Sequence, residues 1–124
     1  MDDDATARIV VDSAVKVHSA LGPGLLESAY EACLIHELGK RNVRARSQVP
    51  MSIRYEDVDV DVGYRLDLLV EERVVVEVKS CQALLPIHTA QLLTYLRLGG
   101  IRLGLLLNFN VAHMRDGIRR VING

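Results

Sequence analysis

The chain has 124 residues, 49% of them hydrophobic, enough for one domain with one core. Fifteen Lys and Arg against sixteen Asp and Glu leave a net charge of −1 and a pI near 6.4. Bulk charge therefore offers no attraction to nucleic acid, although a carboxylate-built metal site would itself lower that charge. Cys33 and Cys81 lack zinc-finger spacing, the start MDDDATARIV is acidic, and no apolar run nears about 18 residues, so the expectation is a reduced, cytoplasmic protein with no leader and no membrane span.

ATARIVVDSAVKVHSALG spaces Ile9, Val10, Ala14, Val17 and Leu21 as one face of a helix. Gly22-Pro23-Gly24 breaks it, and LLESAYEACLIHELGKR resumes as a second helix with a stop signal at Gly39. From about Val43 the pattern turns to strands: VRARSQVPMSIRY, VDVGYRLDLLV and RVVVEVKSC, joined closely enough for an antiparallel meander. Pro86 opens a third helix, PIHTAQLLTYLRLGG, closed by Gly99-Gly100. IRLGLLLNF then reads as a buried central strand, and strand, helix, strand implies a right-handed crossover to a parallel neighbour. The tail VAHMRDGIRRVI reads as a terminal helix interrupted at Gly117. The fold class is α/β, a single domain over residues 1–124, with a mixed sheet flanked by helices.

Strand alternation puts Val75, Glu77 and Lys79 on one face of VVVEVKS and Val74, Val76 and Val78 on the other. The preceding strand carries one central acid, Asp67. A two-residue turn at Glu71-Glu72 would send Asp67 and Glu77 to opposite faces, whereas a three-residue loop, Glu71-Glu72-Arg73, sets them opposite each other; the odd loop is expected. Two facing carboxylates repel and are costly to desolvate. Lys79 offsets one, and a divalent cation would offset both; oxygen-only ligands suit Mg²⁺ or Mn²⁺. The plainer alternative is a solvated cross-strand salt-bridge cluster. Glu27 argues against it, because it projects into the apolar arc of the second helix; so, however, does Glu37. Gln91 and Tyr95 sit at i and i+4 on a nearly all-apolar helix and also need polar partners.

Asp67, then Glu77-x-Lys79 on the next strand, then a helix with Gln91, resembles the core of the PD-(D/E)XK nuclease superfamily, the restriction-endonuclease-like fold. More narrowly, GLLESAY (Gly24, Glu27, Tyr30), with RLDLLV, VVVEVKS, PIHTAQLLTYL and GLLLNFN, is similar to its GxxExxY family over nearly the whole chain from about Ile9. The resemblance implies that Asp67 and Glu77 ligate the metal, that Glu27 completes the shell, and that Lys79 orients water or stabilises charge on phosphorus. It implies that Gln91 contacts water or phosphate, with Tyr30, His88 and Tyr95 as accessory residues. The proline of the superfamily motif is Leu66 here.

The leading expectation is thus a metal-dependent nuclease acting on DNA or RNA, as a homodimer or beside a partner protein. The rivals are an inactive nucleic-acid-binding or protein-interaction module, and a phosphodiesterase of small nucleotides. Lys40, Arg41, Arg44 and Arg46 are candidate phosphate contacts, or one face in water. Arg115, Arg119 and Arg120 form a second basic group near the C-terminus. GPGLLE lacks the third glycine of a dinucleotide fingerprint, and HELGK lacks a zincin's second histidine, which leaves His36 on the surface. His18 is read as a buttress of the GPG turn.

Overall fold

The computed structural model describes residues 1–124. Helix α1 runs from Asp3 to Leu21 and α2 from Glu27 to Lys40. Strands β1 (Ala45–Tyr55), β2 (Val58–Val70) and β3 (Val74–Lys79) follow as a meander, then α3 (Pro86–Gly99) and β4 (Leu103–Asn108). A 3-10 turn, Met114–Gly117, leads into β5 (Ile118–Ile122). The acidic start is a helix cap: Asp2 accepts the Ala5 N–H at 2.7 Å, with Asp3 and Asp4 on the first turn. At the other end Gly22, at φ +68, donates its N–H to the His18 carbonyl and turns the chain out.

The sheet order is β1-β2-β3-β4-β5, with β3 and β4 parallel and every other pair antiparallel. The expected meander and parallel crossover are both present. The expected terminal helix is not: β5 pairs with β4 from Leu103↔Ile122 to Leu107↔Ile118. A buried apolar strand cannot leave one edge unpaired, and Ile118, Val121 and Ile122 suit a strand better than a helix.

Both sheet faces are covered. Val74, Val76 and Val78, with Leu68, Val70, Leu103, Leu105 and Leu107, pack under α1 and α2. Val75, Leu69 and Leu106 pack under Leu92, Tyr95 and Leu96 of α3. A β-carbon on Gly104 would lie 3.0 Å from the Leu92 side chain, so the glycine lets α3 sit close to β4. The valines therefore serve both layers, and the polar end of β3 emerges where the two layers part.

Candidate active site

The β2–β3 ladder is Leu68↔Val76, Leu69↔Val75 and Val70↔Val74, closed by the three-residue loop that the charge pattern favours. Continued by one step, this register sets Asp67 against Glu77. There side chains replace the ladder: Asp67 N–H donates to Glu77 Oε2 at 3.0 Å, and Val78 N–H donates to Asp67 Oδ2 at 2.8 Å. Each acid thus seals the other's strand and is held rigidly by backbone.

Glu77 is only 6% exposed, and neither acid takes part in any of the chain's ion pairs. Burial, and then the Asp67 charge, push the Glu77 carboxyl up to about 8; Lys79 pulls it down more weakly. Asp67 Oδ1 and Glu77 Oε1 take no part in these bonds. No side-chain nitrogen or oxygen in the chain is fully buried without a partner, so both oxygens keep access to solvent.

Glu27 begins α2 and is exposed, yet its Oε2 accepts the Ser80 N–H at 3.2 Å, while the Ser80 hydroxyl donates to the Leu25 carbonyl at 2.7 Å. The helical projection therefore gave its direction, toward the end of β3, but not its burial. With Asp67, Glu31, Gln48 and Ser80 it lines an open cleft of about 500 Å³. Glu37 is the buried helix acid, and Lys16 at 3.0 Å, Arg41 at 3.6 Å and Lys40 at 3.8 Å account for it.

Lys79 is half-buried at the end of β3 on the Glu77 face, opposite Asn108 of β4. Gln91 is exposed on α3, and Tyr95 is buried one turn on. Burial, then the charge of Glu77, raise the Tyr95 phenol, and neither Gln91 nor Tyr95 lines the Glu27–Asp67 cleft. Tyr30 is fully buried: its hydroxyl donates to the Gly22 carbonyl at 2.6 Å and accepts the Leu25 N–H at 3.1 Å, and its ring stacks on Phe109 at 4.4 Å. It clamps the loop that carries Glu27. His88 Nδ1 accepts the Leu85 N–H at 3.0 Å and so caps α3.

Of the candidate phosphate contacts, Arg46 is bidentate to Glu72 at 2.8 and 2.9 Å, and Lys40 and Arg41 share Glu37. Arg44 has no carboxylate on its side chain but lies in a pocket with Glu71 and Glu72. Three cleft residues, Ser80, Glu31 and Gln48, carry no signal in the sequence pattern, nor does Asn108 behind them on β4. Glu31 accepts from the Ser47 hydroxyl, and both its oxygens accept from the Gln48 amide nitrogen, at 2.7 to 3.1 Å. Asn108 holds Cys81 N–H and Cys81 C=O with its amide, fixing the turn after Ser80.

No three acidic, His or Cys side chains converge as a ready-made cage. The donors still fit a hard divalent cation. Two rigid carboxylates, each with one oxygen outside the backbone bonds and neither in an ion pair, suit Mg²⁺, which takes one or two carboxylates and fills its shell with water and substrate phosphate.

A family model for the PD-(D/E)XK nuclease superfamily matches residues 4–121. Neither a curated protein nor a solved structure matches the chain significantly. The chain belongs to the PD-(D/E)XK nuclease superfamily.

Proposed function

We propose that the chain is a metal-dependent nuclease that hydrolyses phosphodiesters of DNA, or of RNA, at the Asp67–Glu77 pair and the cleft that Glu27 and Asp67 line, and that within its superfamily it is of the GxxExxY kind. One observation carries this reading: Asp67 and Glu77 are locked against each other by backbone hydrogen bonds, in no ion pair, with Lys79 offsetting their repulsion only weakly.

Asp67 and Glu77 would hold the Mg²⁺ or Mn²⁺, with Glu27 completing the oxygen set, and the ion would supply positive charge to the scissile phosphate and acidify the attacking water. As a ligand Glu77 would serve in its deprotonated form, as carboxylate ligands do. Lys79, a compact point charge on the same face, orients the water and offsets the charge that develops on phosphorus. Gln91 meets phosphate or water from the α3 side. Tyr30 and Ser80 act through Glu27, by fixing the loop and the strand end between which it sits.

The test incubates purified protein with plasmid, linear duplex, single-stranded DNA and RNA in Mg²⁺ or Mn²⁺, beside Glu77→Ala and Lys79→Ala. Cleavage by the parent that both substitutions abolish supports the reading. Cleavage unchanged in both marks a contaminant, and no cleavage together with no calorimetric metal binding overturns it. The lack of a preformed three-ligand cage favours one second reading, a non-catalytic nucleic-acid-binding module, and that last outcome is the one it expects.

A further inference from the structure

A second concavity, about 730 Å³, opens between the end of α1 and the turn before β5, lined among others by His18, Ser19, His113 and Arg115. Its lining contains no carboxylate. Six of the chain's twelve arginines lie against acids, Arg41 on Glu37, Arg46 on Glu72, Arg54 on Asp59, Arg73 and Arg102 on Asp3, and Arg120 on Asp4, whereas Arg115 of the groove is one of the six that do not. Arg115 and His113 are exposed, and Arg115 makes no ion pair, not even with the adjacent Asp116.

The groove is firmly built. His18 is 7% exposed, and its Nε2 donates to the Val111 carbonyl at 2.7 Å, tying α1 to the turn. Asn110 donates to the Cys81 carbonyl at 3.4 Å, which anchors the same turn to the end of β3.

The groove and the acidic cleft are two sides of one loop. Gly22 and Pro23 line the groove, Leu25 and Leu26 line the cleft, and the Tyr30 hydroxyl ties Gly22 to Leu25. Both lie beyond the carboxyl ends of β3 and β4, where open α/β sheets place ligands. The negative end of the α1 dipole, about half a charge at most and screened within a turn, is smaller than the full charge of Arg115.

Resting on the nuclease reading, we infer that the His18–His113–Arg115 groove binds backbone phosphates of the substrate strand next to the scissile one, so that the strand passes over the Gly22–Leu26 loop. Arg115 supplies the charge and His113 a directional contact, while His18, whose Nε2–H is taken by the Val111 carbonyl, holds the turn that carries both.

The test is fluorescence anisotropy with labelled duplex and single-stranded DNA in EDTA across a salt series, so that binding is read without catalysis. Combined His113→Ala and Arg115→Ala is expected to weaken binding about tenfold, the worth of a charge-assisted contact, and to reduce the slope of log affinity against log salt by about 1. Arg115→Lys should restore the slope, and Arg46→Ala, already paired with Glu72, should leave it unchanged. In cleavage assays the double variant should raise KM with kcat intact, whereas Glu77→Ala removes kcat. A double variant that binds with parental affinity and slope overturns the groove, as does a parent that binds neither DNA. Groove-dependent binding without cleavage instead overturns the nuclease reading and leaves the groove standing.

Discussion

Glu77 couples the site to stability. Its carboxyl moves from an ordinary 4.5 to about 8 because it is buried beside Asp67. Between those values the folded protein holds a proton that the unfolded chain releases, so stability falls as pH rises from about 4.5 to about 8. Below that window the contribution is fully present, and above it the contribution is gone. Urea unfolding in EDTA across this range should show a loss on the order of a few kcal/mol, and Glu77→Gln, which copies the protonated form, should flatten it. Equal slopes in parent and variant would show that the carboxyl is not neutral at the site. Tyr30 tests a different residue role. Tyr30→Phe keeps the stacking on Phe109 but strands the Gly22 carbonyl and the Leu25 N–H. It should cost about 1–3 kcal/mol in unfolding experiments and lower cleavage through Glu27, with KM little changed. A variant with parental turnover would mean the loop holds Glu27 without it.

At the scale of elements, the tail shows where periodicity misleads. Gly117 reads as a flaw in a helix, but its place is set by a close approach: a β-carbon there would fall 1.9 Å from the Asn108 carbonyl oxygen. Gly117→Ala must push β5 off the end of β4, at a cost of about 3 kcal/mol or more. It should also slow cleavage, because Asn108 holds the turn after Ser80. Gly39→Ala, with open space around it near the end of α2, should be neutral or slightly stabilising in the same melting experiment. Comparable melting temperatures for both would remove the clash argument. The three helices, the meander and the crossover were legible because long apolar runs have one cheap way to be buried. The Asp67–Glu77 register was legible because loop length and charge agreed. Ser80, Glu31, Gln48 and Asn108 were not, since each is defined by a contact between segments far apart in sequence. Nor could spacing reveal that Lys40, Arg41 and Arg46 are already satisfied by Glu37 and Glu72.

Across the whole molecule, rigidity is concentrated where the site needs it. β3 and β4 lie at the centre of the sheet with helices on both faces, and every residue from Val74 to Val78 and from Leu103 to Asn108 is buried. The β1–β2 hairpin is built differently. β2 meets β3 only from Leu68 to Val70, so its half before Leu66 pairs with β1 alone. Tyr55, Val58 and Val62 there are more than half exposed, and a two-stranded ribbon without a packed face is marginal in water. Native-state hydrogen exchange should therefore rank the chain sharply. Amides of Val75 to Val78 and Leu105 to Leu107 should open only with global unfolding. Amides of Ile53 to Val62 should exchange through local opening, at a much smaller free energy. The Asp67 and Val78 amides, bonded to carboxylates and not to a ladder, should follow the slow group. Should they exchange with the hairpin instead, the two acids would not be held in advance of any ligand, and a cation or substrate would have to assemble the site on arrival.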